Sequence, residues 1–104
     1  MAKSRYQIHL DYQKAKSQAG KLEEAAKMIR QESNRMESCR ADVRHAWEGD
    51  NAAKFTGKMG IVSGDLGKIA AQLEKTAVVI RKNAKRIYDA EMEAKRLAEI
   101  RNHS

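Results

Sequence analysis

The sequence predicts an all-α chain folded as an antiparallel helix-turn-helix hairpin. Three observations point there. The 104 residues contain no proline, the strongest helix breaker. Apolar residues recur at alternating steps of four and three, the spacing of a helical seam, on both sides of a central break. The break is short and carries turn and capping residues, Trp47-Glu48-Gly49-Asp50-Asn51. Two long helices joined by so short a connection pack as antiparallel neighbours.

Composition agrees. Charged residues make up 34% and aromatics only 5%, with abundant Ala, Lys, Glu and Arg, a mixture that suits long helices better than strands. The chain has length for one domain and not for two. Helix 1 is placed over about 5–46, the turn over 47–51 and helix 2 over about 52–99, in a single domain covering 1–104.

The first seam starts at Ile8 and steps through Tyr12, Ala15, Ala19, Leu22, Ala26, Ile29, Ser33, Met36, Arg40 and Val43 to Trp47. Arg40 breaks it, and Cys39 beside it is expected to fill in as a small, partly buried residue. As the lone cysteine it has no internal disulfide partner. Gly20 lies inside the seam and costs about 1 kcal/mol against alanine. It either bends the helix or marks a frayed beginning. Ser4 is the candidate N-cap.

The turn follows from its residues. Gly49 is suited to the left-handed conformation that stops a helix, and Asp50 or Asn51 then caps the next one. Trp47 at the end of the first seam reads as an aromatic plug on the hairpin.

The second seam is Phe55, Met59, Val62, Leu66, Ile69 and Leu73. After one extra four-residue step it resumes as Ala77, Ile80, Ala84 and Ile87, then weakens through Glu91, Ala94 and Ala98. The extra step predicts a stutter. From about Asp89 the chain is mostly charged, and Arg101 to Ser104 are expected to fray.

A stripe of small residues shares the spacing: Ala53, Gly57, Gly60, Gly64, Gly67 and Ala71. Each precedes a member of the apolar seam by two positions, about 200° around a helix, so the small residues take the opposite face. Four glycines in one helix sacrifice roughly 3–4 kcal/mol of propensity. Either a neighbouring helix docks closely on this face, or the stretch from Phe55 to Gly67 is loose and a helix restarts near Ser63 or Asp65.

Catalytic and metal chemistry have no motif here. His9, His45 and His103 are far apart, with no H-E-x-x-H, no C-x-x-C and no metal-ligand spacing. The glycines lack the strand-to-helix context of a phosphate loop. Glu23 and Glu24 are adjacent, so they point to different parts of the helix surface and form no catalytic pair. A bare hairpin offers no deep pocket. No enzyme, cofactor or small-molecule substrate is expected.

With these residues laid out, the chain resembles the WXG family of type VII secretion substrates. The resemblance covers nearly the whole length: the hairpin layout, the central Trp47-Glu48-Gly49, the paired seams and a beginning unlike a cleavable signal. Lys3 and Arg5 could serve as a basic leader, but polar residues follow where an apolar stretch is required. The resemblance implies hairpins that dimerise into four-helix bundles. It also implies a bacterial cytoplasmic location before export by a route without a cleaved signal.

The family's export signal is a Tyr followed four positions later by Asp or Glu. Tyr88 lies in the right region, but Met92 stands at the acidic position and Glu91 and Glu93 flank it. Similar hairpins serve LXG-type toxins as small partners, and the departure favours that role over independent export. By resemblance, Trp47, Gly49 and Tyr88 belong to a recognition apparatus. The implied partners are a second copy, another hairpin or a toxin's N-terminal helical domain, together with the secretion machinery.

The formal net charge is +7. It divides evenly along the chain, ten basic and six acidic residues over 1–46 and eleven and eight over 47–104. The densest patch is Arg81-Lys82-Asn83-Ala84-Lys85-Arg86. A rival reading, a basic hairpin that binds nucleic acid, rests on that charge alone and lacks a stacking platform or known binding fold.

Overall fold

Ser4 opens the first helix by supplying what its first turn lacks. Its Oγ accepts from the Gln7 N–H at 3.1 Å, and its carbonyl accepts from the Ile8 N–H at 3.0 Å. The computed structural model describes residues 3–103. These form two helices, α1 (Arg5–Ala46) and α2 (Asp50–His103), so the fold class is all-α. α1 runs without interruption from Arg5 through Gly20, so Gly20 does not mark a frayed beginning.

At the turn, the Trp47 N–H donates to the Val43 carbonyl at 2.9 Å, closing the bond ladder of α1. Gly49 then adopts a φ of 113°, a conformation that side chains resist. Its carbonyl accepts from the Ala53 N–H at 3.0 Å. Gly49 therefore caps α2 where Asp50 or Asn51 was expected to, and the helix starts at Asp50 instead of 52. Asp50 occupies the first turn, where a carboxylate complements the helix dipole.

At its far end α2 runs to His103, beyond the expected 99. Pairs at one-turn spacing support this charged stretch: Lys85 with Asp89 at 2.7 Å, and Glu93 with Arg96 at 2.5 Å. Arg101 and Asn102 are helical, while the fraying expected at Ser104 lies outside the described residues.

Contacts divide the chain into two units. The first joins Met1–Leu22 to Thr76–Ser104 and the second is Glu23–Lys75. Each pairs a stretch of α1 with an antiparallel stretch of α2. In the first, Ile8, Ala19, Ala77 and Ala84 are buried; in the second, Ala26, Ala52, Met59 and Ala70 are buried beside Thr56 and Ser63. Small residues at the contact let helix axes approach closely.

On α1 the seam from Ile8 to Val43 contains no exposed residue. Leu22, Ile29, Met36 and Val43 are all half-buried. Arg40 stays in the seam, half-buried, and Cys39 is exposed and fills nothing.

On α2 the covered seam differs from the expected one. Phe55, Val62 and Ile69 are exposed at 49%, 45% and 48%. Thr56, Ser63 and Ala70, each one position on, are buried instead. Met59, Leu66 and Leu73 belong to both patterns and are covered. The physical reason is that a single neighbouring helix covers a narrow strip, and close approach favours the small edge of a wide apolar arc over its bulky edge.

The stutter moves with the register. Ala52, Thr56, Met59, Ser63, Leu66, Ala70, Leu73, Ala77, Ile80 and Ala84 alternate steps of four and three without a break. The extra step falls after Ala84, where half-buried Tyr88 replaces the expected Ile87, which is 55% exposed.

Candidate functional site

Trp47 and Gly49 belong to the unit Glu23–Lys75 and Tyr88 to the other, so each has its own surroundings. At the tip, Trp47 remains 49% exposed. Its ring meets Phe55 in a tilted arrangement, with centroids 6.3 Å apart and planes at 54°. A half-exposed indole does not seal the hairpin end. It forms one wall of an open cleft of ≈ 400 Å³, with Arg40 and Arg44 from α1 and Thr56 and Gly57 from α2.

Behind that cleft lies a polar cluster in the seam. The Arg40 guanidinium rests on Gly60: a Cβ there would stand 2.8 Å from Cζ and 2.9 Å from an Nη. Its Nη1 reaches Glu37 only at 3.4 Å, and its buried Nε has no partner. The Ser63 hydroxyl, followed by Arg40, holds the Glu37 carboxyl below the ordinary carboxylate range. Ser33 Oγ donates to the Ser63 carbonyl at 3.1 Å and lies 3.2 Å from its hydroxyl. Beyond the cluster, Arg30 and Glu74 pair across the two helices. The sequence carried signals of this cluster in two polar seam positions, Arg40, read there as the break in an apolar stripe, and Ser33, counted there as one of its members.

The small-residue stripe divides accordingly. Gly60 admits Arg40 from the hairpin's own first helix. Gly57, Gly64 and Gly67 have nothing within 4 Å of a built Cβ, and Ala53 and Ala71 are exposed. The helix is continuous from Phe55 to Gly67, which removes the reading of a restart near Ser63 or Asp65.

In the other unit Tyr88 is half-buried and held by α1. Its ring stacks on Tyr12, centroids 4.7 Å apart and planes at 29°. Its hydroxyl lies 3.3 Å from His9 Nδ1. Lys16 caps the Tyr12 ring at 4.5 Å, and Lys85 stands 5.6 Å from the Tyr88 centroid. Ile8, Ala15, Ala84 and Ile87 help line a ≈ 220 Å³ groove beside the stack. Of the acids near Met92, Glu91 pairs with Lys3 at 3.1 Å and Glu93 with Arg96.

Among the described residues no group of three or more His, Cys, Asp or Glu is placed to hold a metal ion. No helix there is long and apolar enough to cross a membrane.

The tip sequence, the two helices and their seams now stand together, and the family model described as proteins of 100 residues with WXG, WXG100, matches residues 7–92. The chain belongs to the WXG100 family. The match spans Trp47, Gly49 and Tyr88 and ends on Met92. WXG100 proteins are small helical hairpins of type VII secretion that dimerise in that process, and the family is a non-enzymatic one. No curated relative and no solved structure matches this WXG100 chain.

Proposed function

We propose that this WXG100 protein works by association. It pairs with a second helical hairpin, either another copy or the N-terminal helical domain of an LXG-type toxin, stabilises it and targets it for type VII export. Trp47 and Gly49 act in recognition at the tip, and Tyr88 acts in the tail. The open small face of Ala53, Gly57, Gly64, Gly67 and Ala71 admits a close neighbour.

The observation that supports this reading is what the hairpin leaves outside. Its buried residues are mostly alanines, while Phe55, Val62 and Ile69 stay about half exposed at seven-residue spacing, with Trp47 against Phe55. A heptad-spaced apolar line beside a covered seam is the geometry a further helix fills. Two helices alone bury too little apolar surface for robust stability.

Light scattering on the full chain, alone and co-expressed with a toxin-like helical chain, tests the proposal. A dimer or heterocomplex is expected, lost in the triple variant Phe55→Ser, Val62→Ser, Ile69→Ser. A cooperative, well-folded monomer that ignores every helical partner would refute it.

A further inference from the structure

The charge is divided evenly by the sequence and unevenly by the fold. The unit Glu23–Lys75 holds nine Lys and Arg against nine Asp and Glu and is neutral. The unit joining Met1–Leu22 to Thr76–Ser104 holds twelve against five. The whole formal charge of +7 therefore resides in one unit.

That unit also has a structured basic surface. Lys16 of α1 and Lys85 of α2 flank one aromatic stack, Tyr12 on Tyr88. Arg81 reaches across to α1, one Nη lying 4.0 Å from a Cβ built on Gly20. Val78 shares a face of α2 with Lys82 and Lys85 at helical spacing and is 48% exposed, and Val79 beside it is 54% exposed. Concentrated charge of one sign steers an oppositely charged partner and fixes its register more than it adds affinity.

We propose that this unit is the docking end for an acidic, amphipathic helical segment of a protein partner. The inference rests on the function proposed above, association with another helical chain, and specifies that chain's charge. A second copy fits less well, because it brings to this end either the same positive charge or a neutral unit. Duplex nucleic acid makes no use of exposed valines. A lipid surface calls for a helix with a strongly basic polar face, whereas this stretch of α2 carries Asp89, Glu91, Glu93 and Glu99 among its basic residues.

The test uses the full chain and two synthetic amphipathic peptides of identical apolar spacing, one with glutamates on its polar face and one with glutamines. The acidic peptide is expected to bind at least about tenfold tighter, a difference of about 1.4 kcal/mol. Added salt should erode that preference. Lys16→Glu/Lys82→Glu/Lys85→Glu should abolish it, while the equal charge change Lys54→Glu/Lys58→Glu/Lys68→Glu in the neutral unit should leave it. Circular dichroism checks that both variants fold.

Equal binding of the two peptides, or equal loss in both variants, overturns the inference while leaving association intact. Binding to neither peptide overturns it too, and light scattering then reads the association proposal separately. Preferential binding to a DNA duplex or to anionic phospholipid vesicles at physiological salt, without a preference for the acidic peptide, overturns it in favour of those ligands.

Discussion

Gly49 and Gly20 show how one residue type carries opposite consequences. At Gly49 the φ of 113° leaves no comfortable place for a side chain, although the space around it is open. Gly49→Ala should cost about 1–2 kcal/mol through backbone strain. At Gly20 the backbone is helical and a Cβ would meet only the Arg81 guanidinium at 4.0 Å, an ordinary contact. Gly20→Ala should therefore stabilise the chain by about 1 kcal/mol. Chemical denaturation of both variants checks the pair, and a destabilised Gly20→Ala would mean that α1 needs a bend there.

Carboxylates report on the residue scale as well. Lys3 and then Gln7 hold Asp11 below its ordinary value of 3.8. Hydrogen bonds from Ser63, Arg30 and Arg96 hold Glu37, Glu74 and Glu93 respectively below 4.5. A lowered native pKa binds fewer protons than the unfolded chain, so stability is fully present above the ordinary value and is lost as pH falls through the lowered one. Acid should loosen the hairpin below pH 4.5, following helicity by circular dichroism, and Glu74→Gln should blunt the loss. These groups are exposed, so the effect is small and shrinks in salt.

At the scale of the element, α1 was legible and α2 was legible in type but not in register. Every seam position from Ile8 to Val43 stands where periodicity places it, because the apolar arc of α1 is narrow. The arc of α2 is wide, running from Phe55, Val62 and Ile69 through Met59, Leu66 and Leu73 to Ser63 and Ala70. A reading weighted by hydrophobicity follows the bulky edge, whereas contact between two helices selects the small edge. The candidate site suffered likewise: Gly60 was placed on a docking face because nothing in the sequence says that Arg40 will lie over it.

The register makes a contrast to test. Ala70 and Ala77 are fully buried, so Ala70→Leu or Ala77→Leu should overpack the seam and cost about 1–3 kcal/mol. Ile69→Ser, one position away and half exposed, should leave the isolated chain within about 0.5 kcal/mol of the original. Thermal melts that rank the variants the other way would restore the bulky seam.

At the scale of the whole molecule, hairpin topology, the turn and the family were readable because each rests on local pattern: unbroken helical spacing, a glycine at a short break, a tripeptide at the tip. Charge distribution was not, since it emerges only when distant parts of the sequence fold into one unit. Lys16 and Lys85 lie far apart in the sequence, yet both sit against one pair of tyrosines. The stretches before and after Trp47 are nearly equal in charge, and the imbalance lies between the two contact units.

The alanine seam has a consequence in time. Side chains this small bury little apolar area, so the free energy holding the hairpin shut is modest when nothing else covers it. Cleavage of a readily opened chain follows the population of its open form, and a bound partner depresses that population by mass action. On the association proposed above, resistance of this protein to protease should therefore rise with the concentration of its partner, which timed digestion of the chain with and without that partner reads directly.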